Sequence, residues 1–348
     1  MKPCDTIGGI ILDGIKIYVS HRIDIDSELI DNPLYVPMRC GAVFDEENPM
    51  NIPGDDTGDN ISRKRMTFCE FTVQYWAWKN AGCDYYGLCH YRRFLSFAEK
   101  RFRINDMGMV HLPELTPGMK KKMGLLDSEK MDRVIRQYDI VTSQYADVRR
   151  MVTPKGRVET VREMWDAHDG VFFEKSTIDL MFELIEKLFP QYYESAKEYF
   201  GGSLHRGFNC FVMKKELFFR MCEFQFAIMN KIEELVDTTE YTQTMKRTPG
   251  FVGEMLYGIF IYHVTKNENV SVKELQLVFF VRTDRIKSGF DLLRRKICSA
   301  ADRAARFIFD PIFPKGSKRR EKLKDIYYRV TGKPRRGEAV IKEKQQGS

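Results

Sequence analysis

Two groups of charged side chains flank one predicted helix–strand unit and could bind an anionic ligand. The loop DDTGDN precedes the helix and contains three acids, Asp55, Asp56 and Asp59. The strand YYGLCHYRRF follows the helix and ends in three basic side chains, His90, Arg92 and Arg93. Arginine matches phosphate through its planar fork of donors, and ligands of open α/β sheets bind beyond the carboxyl ends of strands. The pattern therefore predicts a phosphate-bearing ligand at the edge of a sheet.

The acidic loop and the basic strand end each have a plainer interpretation. Acids before a helix complement its dipole, and arginines at a solvated strand end can form salt bridges with such acids. Carboxylates also hydrogen-bond sugar hydroxyls or coordinate a divalent cation, and three acids within five residues exceed what a cap requires. We therefore predict that the loop binds a ligand, through Asp55, Asp56, Asp59 and Asn60. If a metal is bound, Asp56 and Asp59 are its candidate ligands.

Strands that alternate with helices must position these groups. The hydrophobic pattern predicts strands at 15–19, 85–94, 138–142, 208–213 and 275–281. It predicts helices at 63–80, 158–168, 176–188, 215–234 and 251–263. The proline-containing segment 99–122 lacks periodicity and is predicted to be a loop that acts as a mobile lid. This order indicates an α/β sheet with helices on both faces.

The composition indicates a folded cytoplasmic protein. Hydrophobic residues make up 43% of the chain and aromatic residues 13%, which is typical of globular proteins. No stretch approaches the roughly 18 apolar residues that span a bilayer, and the start of the sequence does not resemble an export signal. The 8 cysteines form no CxxC pair, so we expect buried, reduced thiols and no structural zinc site.

The positive charge is concentrated in a C-terminal arm. Residues 285–348 contain 19 Lys and Arg against 7 Asp and Glu, a net +12 within a chain of net +7, so the body carries −5. We predict a catalytic domain at 1–284 and a basic, partly helical arm at 285–348. An amphipathic helix in the arm would bind anionic lipid with an apolar face of Leu292, Leu293, Ile297, Ala301 and Phe307. Nucleic-acid binding and a solvated tail are the alternatives, and the arm has no nucleic-acid motif.

Three blocks of sequence, in order, carry a resemblance to a known family. IPGDDTGDNIS, CEFTVQYWAWKN and YYGLCHYRRF resemble the hallmark blocks of a bacterial polysaccharide-biosynthesis glycosyltransferase family. That family, long catalogued as a domain of unknown function, is similar to galactosyl- and galactofuranosyltransferases of capsule and O-antigen pathways. FNCFVMKKELF and TPGFVGEMLYGIF also resemble its later blocks, and MWDAHDGVFFE matches more weakly through His168. The resemblance covers residues 16–281.

The resemblance implies a GT-A-like, Rossmann-type sheet that binds a nucleotide-sugar donor. It makes the loop and the strand end the donor-binding residues: Asp55, Asp56, Asp59, Asn60, His90, Arg92 and Arg93. In that fold an Asp-x-Asp usually holds a metal on the diphosphate, whereas here the equivalent strand ends in HYRR. Cationic side chains can neutralise a leaving diphosphate in place of a metal, so transfer without a metal is one hypothesis and recruitment of Mn or Mg is the other. The implied partners are a UDP-sugar donor, a glycan or lipid-linked acceptor and the inner face of the cell membrane, with no nucleic acid.

Further site residues lie in the later blocks. Sugar transfer with inversion requires a carboxylate that deprotonates the acceptor hydroxyl, and Glu254 is the candidate base. The reserve candidates are Asp147, Asp166 and Asp169. The candidate contacts to acceptor or sugar are His168, His205 and Asn209. We expect Trp76 and Trp78 to pack in the core rather than stack on sugar.

Two other functions fit parts of this pattern. A non-catalytic protein could bind nucleic acid or another polyanion through HYRR and the arm. A metal-dependent phosphoesterase could use the carboxylates of DDTGD.

Overall fold

A mixed sheet flanked by helices forms most of the described chain, which in this computed structural model comprises residues 14–295, 297, 319, 322 and 323. The strands are β1 (Ile15–Arg22), β2 (Tyr35–Cys40), β3 (Tyr85–His90), β4 (Arg93–Leu95), β5 (Met109–Glu114), β6 (Ile140–Ser143), β7 (Ala146–Asp147), β8 (Leu204–His205), β9 (Phe211–Lys214), β10 (Val272–Leu275) and β11 (Leu277–Arg282). The helices are α1 (Arg65–Phe68), α2 (Phe71–Asn80), α3 (Pro117–Lys122), α4 (Ser128–Ile135), α5 (Val161–Asp166), α6 (Ser176–Leu188), α7 (Pro190–Gly201), α8 (Lys215–Leu235) and α9 (Thr248–Asn267). The predicted α/β class is confirmed.

Parallel pairing brings the ends of three strands together. β1 lies between β2 and β3 and runs parallel to both. β9 pairs antiparallel with β3 and with β6, and β10 pairs parallel with β6. A further set of strands, in the order β4, β11, β5, joins at the end of β3. The carboxyl ends of β1, β2 and β3 therefore meet at one edge, where ligands bind in open α/β sheets.

The two faces of the sheet pack against different helices. Along β3, Tyr86 and Leu88 belong to one apolar cluster, whereas Tyr85 and Cys89 belong to another. Alternate side chains of a strand point to opposite faces, so the clusters mark the two sides of the sheet. Side chains of α2 and α5 to α9 pack in the first cluster, and side chains of α3 and α4 in the second. Helices therefore cover both faces, as predicted.

The predicted strand at 85–94 is two strands that reverse direction. β3 ends at His90, and β4 begins at Arg93, which pairs with His90 in antiparallel register. Tyr91 and Arg92 form the turn between them. The reversal follows from the strand partners, because β4 must pair with β11 whereas β3 pairs with β1 and β9. Arg92 thus lies in a tight turn at the edge of the sheet.

The predicted strand at 275–281 is also divided, because Gln276 leaves the ladder. The Gln276 side chain accepts the backbone N–H of Phe102 at 2.8 Å and donates to the Phe102 carbonyl at 2.7 Å. The chain pairs with β6 before this residue and with β4 and β5 after it. A change of partner leaves no mark in the hydrophobic pattern, so the break was not predicted.

The segment 99–122 contains a strand and a helix, so its prediction as a loop was wrong. Pro113 lies in β5, which is an edge strand, and proline is tolerated there because no neighbour needs its N–H. Pro117 occupies the first turn of α3, and the Thr116 hydroxyl accepts the Met119 N–H at 3.3 Å as the helix cap. The prolines mark an edge strand and a helix start.

The predicted helix at 63–80 is interrupted at Cys69 and Glu70. Cys69 has φ 52° and ψ −131°, a backbone conformation that residues with a Cβ rarely adopt. Its carbonyl accepts the Cys40 thiol at 3.0 Å and the Thr72 N–H at 3.2 Å. These contacts hold a break that helix propensity alone does not predict. Trp76 and Trp78, beyond the break, pack against the first apolar cluster.

The fully buried carboxylate of Asp55 joins the loop after β2 to the segment that leads into α2. Its oxygens accept the N–H groups of Gly41 and Ala42 at 2.9 to 3.1 Å and the hydroxyls of Ser62 and Thr72. The loop after β2 is thereby tied to the start of α2. A carboxylate that accepts several buried donors is costly to replace, because each donor is then left unpaired.

The chain contains two compact units, the first ending at Arg285 and the second beginning at Ile286. Residues 289–295 of the second unit are helical, whereas Ala301 and Phe307 of the predicted amphipathic face lie outside the described residues. The assignment of catalysis to 1–284 and of membrane binding to 285–348 stays a prediction. Within the described part of the chain, each helix is too short or too polar to cross a membrane.

We predict that Asp55→Asn destabilises the protein, whereas Asp56→Asn on the same loop does not. Loss of the Asp55 charge leaves buried donors unsatisfied and should cost about 2–4 kcal/mol. Asp56 is exposed, so its change should stay within about 0.5 kcal/mol. Urea unfolding followed by circular dichroism measures both, and equal stability of the two variants would refute the structural role of Asp55.

Candidate active site

The carboxyl ends of β1, β2 and β3 surround a cavity of about 260 Å³, which we call the edge cavity. Its lining residues are Ser20, Arg22, Cys40, Arg65, Met66, Cys69, Glu70, His90, Tyr91, Arg92 and Arg247. The parallel register explains part of this set, because Ser20 lies opposite His90, and Arg22 opposite Cys40. Two of the predicted donor-binding residues, His90 and Arg92, therefore line one cavity.

The edge cavity carries an excess of positive charge. Arg22 and Arg65 share the carboxylate of Asp24, and the Arg65–Asp24 distance is 3.2 Å. Arg92 and Arg247, by contrast, form no ion pair with any described residue. Arg92 is half-buried and Arg247 is exposed, and unpaired guanidinium groups that line one cavity attract anions. The cavity is therefore suited to a small anionic ligand.

Aromatic rings position the unpaired guanidinium groups. The Arg92 guanidinium lies 5.2 Å from the ring centre of Tyr91 and 5.3 Å from that of Phe279. Arg93, which follows Arg92, lies 4.7 Å from the ring of Phe208. Ring faces attract a cation without neutralising it. The arginines are thus oriented while their charge stays available to a ligand.

Arg247 is held in the same way on the opposite wall. Its guanidinium lies 5.4 Å from the ring centre of Phe251, and its Nε donates to the Cys69 Sγ at 2.9 Å. Arg247 is the residue before α9, so the start of that helix places it beside the α1–α2 break.

Several buried polar atoms around the cavity have no hydrogen-bond partner among the described residues. They are His90 Nδ1, Arg92 Nε, Arg93 Nε and both side-chain amide atoms of Asn209. Buried polar groups are nearly always paired in folded proteins, so a group of unpaired ones at one strand end indicates a ligand site. Burial, together with the charges of Arg93 and Arg92, holds the pKa of His90 well below its usual range. His90 is therefore a neutral hydrogen-bonding group, and the arginines supply the charge.

Glu254 lies beside the cavity and has a perturbed pKa. It occupies the second turn of α9 and not the first, because the helix begins at Thr248 rather than at 251. The backbone of Phe208 favours its ionised form. Burial, and then the negative charge of Glu70, raise the pKa of Glu254 to about 7, against the opposing effects of Arg93 and Arg247. A carboxyl with this pKa can accept a proton at neutral pH.

Two glycines explain how α9 comes so close to the break. A Cβ at Gly250 would lie 3.3 Å from the Thr67 carbonyl, and one at Gly253 would lie 2.4 Å from the Phe71 ring. The glycines of TPGFVGE thus serve helix packing, and that packing places Glu254 near Glu70.

The acidic loop does not join the basic strand end. None of Asp55, Asp56, Asp59 and Asn60 lines the edge cavity. Asp59 accepts the Tyr75 hydroxyl at 3.1 Å and lies beside Asn80 at the far end of α2, and Asn60 donates to the Gly58 carbonyl. Donor binding by these four residues stays a prediction, and the contacts of Asp55, Asp59 and Asn60 favour structural roles.

The residues at the end of β3 do not fit a divalent cation. His90, Arg92 and Arg93 present positive charge where a metal needs carboxylate oxygens. Across the described residues, no group of three or more His, Cys, Asp and Glu side chains is arranged to hold a metal ion. We therefore derive no step through a metal.

The predicted histidine contacts lie in packed surroundings. His205 is buried, its Nδ1 lies 2.8 Å from the Tyr199 hydroxyl, and burial lowers its pKa to about 4. His168 stacks on Phe172 at 4.5 Å, and its Nδ1 lies 2.8 Å from the Met164 carbonyl. Neither lines the edge cavity, so their sugar contacts stay predictions. Asn209, with its unpaired amide, remains the best supported of the three.

The reserve catalytic acids are already paired with cations. Asp147 pairs with Arg149 at 2.7 Å, and Asp166 pairs with Arg162 at 2.9 Å. Asp169 accepts the backbone N–H of Lys175 at 2.8 Å. Their surroundings give them less freedom to accept a proton than Glu254 has.

Four charged cavity residues were not singled out from the sequence: Arg22, Arg65, Glu70 and Arg247. They lie in separate segments of the chain, and only the tertiary structure brings them together. One signal was available for Arg247, because it directly precedes the TPGFVGE block.

Comparisons with known proteins identify the family and the fold. The sequence profile of a family described as "Domain of unknown function (DUF4422)" matches residues 16–267, whereas a search of curated proteins found no match. Among solved structures the chain is similar to one titled "WbbM bifunctional glycosytransferase apo structure", with a TM-score of 0.70 and 30% sequence identity.

That similarity covers 80% of this chain and 48% of the WbbM chain, so the present chain spans about half the length of that protein. The fold therefore resembles a glycosyltransferase structure, as predicted. The profile match begins in β1 and ends with α9, and it includes every residue that lines the edge cavity. The chain belongs to the DUF4422 family.

Proposed function

We propose that the protein is a glycosyltransferase that moves a hexose, galactose or galactofuranose, from a UDP-sugar to a lipid-linked surface polysaccharide. The observation that carries the proposal is the group of unpaired arginines at the edge cavity, in a fold similar to that of WbbM. Nucleotide sugars are anionic through their diphosphate, and the carboxyl edge of a parallel sheet is where α/β folds bind such ligands.

In this proposal the arginines bind the diphosphate and stabilise its departure. Arg92 and Arg93 donate to phosphate oxygens, and their charge offsets the negative charge that develops on UDP as the glycosidic bond breaks. His90, which is neutral, adds a hydrogen bond from its unpaired Nδ1. These groups perform the neutralisation that a metal performs in other enzymes of this type.

Glu254 is the proposed base. It removes the proton from the acceptor hydroxyl, and the hydroxyl oxygen bonds to the anomeric carbon. The bond between the anomeric carbon and the phosphate oxygen breaks, and its electrons leave with UDP. The raised pKa of Glu254 matches this task at neutral pH.

The two rival functions are less well supported. A protein that binds nucleic acid needs cations on an open surface, whereas Arg92 and Arg247 line a recess of about 260 Å³. A phosphoesterase that uses the DDTGD loop needs its carboxylates together, but Asp55 is buried and Asp59 lies beside Asn80.

We also propose that the enzyme works at the cytoplasmic face of the membrane, where a lipid-linked acceptor lies. The start of the arm supports this, because Phe290, Leu293 and Ile297 are 77%, 55% and 61% exposed and recur at helical spacing. Basic residues follow them along the sequence, and such segments bind anionic lipid.

We predict that Arg92→Ala and Arg93→Ala each weaken UDP binding about 10- to 100-fold. A charge-assisted hydrogen bond contributes about 1.5–3 kcal/mol. Isothermal calorimetry measures the affinity, and Arg149→Ala is the control because Arg149 is exposed and pairs with Asp147 outside the cavity. UDP binding that is unchanged in both variants would refute the diphosphate site.

We predict that turnover of the UDP-sugar survives removal of divalent cations. The arginines already supply the charge that would otherwise come from a metal. Release of UDP from UDP-galactose is measured with and without EDTA. Complete loss of activity that manganese restores would contradict this prediction.

We predict that Glu254→Gln lowers kcat about 10²- to 10⁴-fold, the usual range for loss of a general base. UDP affinity should change little, because the amide keeps the shape of the side chain. In the wild type only the ionised carboxylate accepts a proton, so kcat should fall as the pH drops below about 7. Normal turnover by a folded Glu254→Gln variant would eliminate Glu254 as the base.

A further inference from the structure

Glu70 is the carboxylate that lines the edge cavity, and the interruption between α1 and α2 places it there. A continuous helix through 63–80 would not contain the turn at Cys69, whose φ of 52° is unfavourable for a residue with a Cβ. The Cys40 thiol and the Arg247 Nε both bond to Cys69 and hold this turn. Unfavourable backbone geometry that tertiary contacts maintain is common at functional sites.

The Glu70 carboxylate is unpaired in a strongly cationic recess. It makes no direct hydrogen bond or ion pair with the described residues, although Arg92 and Arg247 line the same cavity and its charge acts on Arg247 from a longer distance. Asp24 shows the contrast, because it lies near the cavity and is bound by Arg22 and Arg65. A carboxylate that served only to stabilise the fold would be expected to pair with an available arginine. Glu70 is therefore free to contact a ligand.

The chemistry of a nucleotide sugar explains why one acid, Glu70, would line the same cavity as the arginines. The diphosphate offers only hydrogen-bond acceptors, which match guanidinium donors. The hexose offers hydroxyl donors, which arginine cannot accept. Among the residues that line the cavity, Glu70 is the one carboxylate acceptor.

We propose that Glu70 accepts hydrogen bonds from hydroxyl groups of the donor hexose and thereby selects the sugar. The inference rests on the proposed function, because it requires the UDP-sugar to lie in the edge cavity. Glu70 then acts differently from Glu254, which deprotonates the acceptor. It discriminates between hexoses by the orientation of their hydroxyls, because a misplaced hydroxyl leaves the carboxylate unpaired.

Glu70 would oppose any ligand that is only a phosphate or a polyanion. Its negative charge repels phosphate, so a site built for UDP alone would gain affinity on its removal. A site built for a glycosylated diphosphate would instead lose its preference among sugars. Both cases allow tighter UDP binding by Glu70→Gln, and only the second predicts that the preference among sugars is lost.

The test is calorimetric titration of the full-length wild type, Glu70→Gln and Glu70→Asp with UDP, UDP-glucose, UDP-galactose and UDP-galactofuranose. The three sugar nucleotides carry the same charge, so differences among them report on the sugar alone. We expect the wild type to bind one sugar nucleotide at least about tenfold more tightly than another. Glu70→Gln should reduce this ratio of affinities, which we call the spread among sugars, to about twofold. It should bind UDP at least as tightly as the wild type. Glu70→Asp, which keeps the charge but shortens the side chain, should also reduce the spread.

Asp24→Asn is the matched control. It removes a negative charge near the same cavity, but Asp24 does not line it, so the spread among sugars should persist. Thermal unfolding of each variant checks that the fold is intact.

Several outcomes would overturn the inference. It is refuted if Glu70→Gln and Glu70→Asp keep the wild-type spread among sugars, or if the wild type binds all three sugar nucleotides with the same affinity. It is also refuted if Glu70→Gln lowers the affinity for UDP as much as the affinity for the sugar nucleotides. Failure of the wild type to bind UDP would refute both the proposed function and this inference. UDP binding without sugar discrimination would refute the inference alone.

Discussion

The parallel pairing of β1 with β2 and β3 is the constraint on which the rest of the site depends. Parallel strands end at the same edge, so polar residues placed at three separate points of the sequence meet there. Ser20 and His90 occupy paired positions for this reason, as do Arg22 and Cys40. The reversal after His90 then places Arg92 in a turn at the same edge, because β4 must pair with β11. Register and this turn thus form one side of the edge cavity, and the α1–α2 break and the start of α9 supply its other residues.

Charge at this edge is arranged at a cost to the folded protein. Unpaired guanidinium groups close together repel one another, and buried polar atoms without partners lose the hydrogen bonds that water would give them. Aromatic faces offset part of this cost for Arg92 and Arg93 without consuming their charge. A ligand with negative charge and hydrogen-bond acceptors would offset the remaining cost by pairing with the guanidinium groups and the buried polar atoms. Such an arrangement is typical of a site that is preorganised for binding rather than for stability.

The sequence predicted the basic side of the site better than the acidic side. His90, Arg92 and Arg93 follow an apolar strand, and a strand end in an α/β fold has a known place at the sheet edge. The loop acids could not be placed in the same way, because a loop carries no periodicity that fixes its direction. Asp55 is instead buried and accepts hydrogen bonds from neighbouring backbone and hydroxyl groups. Glu70 escaped prediction because it lies in a stretch that reads as one helix, and the break at Cys69 depends on contacts from elsewhere in the chain.

The sequence by itself determined the α/β class, the order of most strands and helices, and the presence of a cationic strand end. These follow from local hydrophobic patterns and residue types, which depend on few distant contacts. Only the tertiary structure decided where strands change partner, where the helix breaks and which acids meet the arginines. Those outcomes depend on pairing and packing between residues far apart in the chain. Arg247 and Glu70 illustrate this, because they are separated by most of the first unit and yet line one cavity.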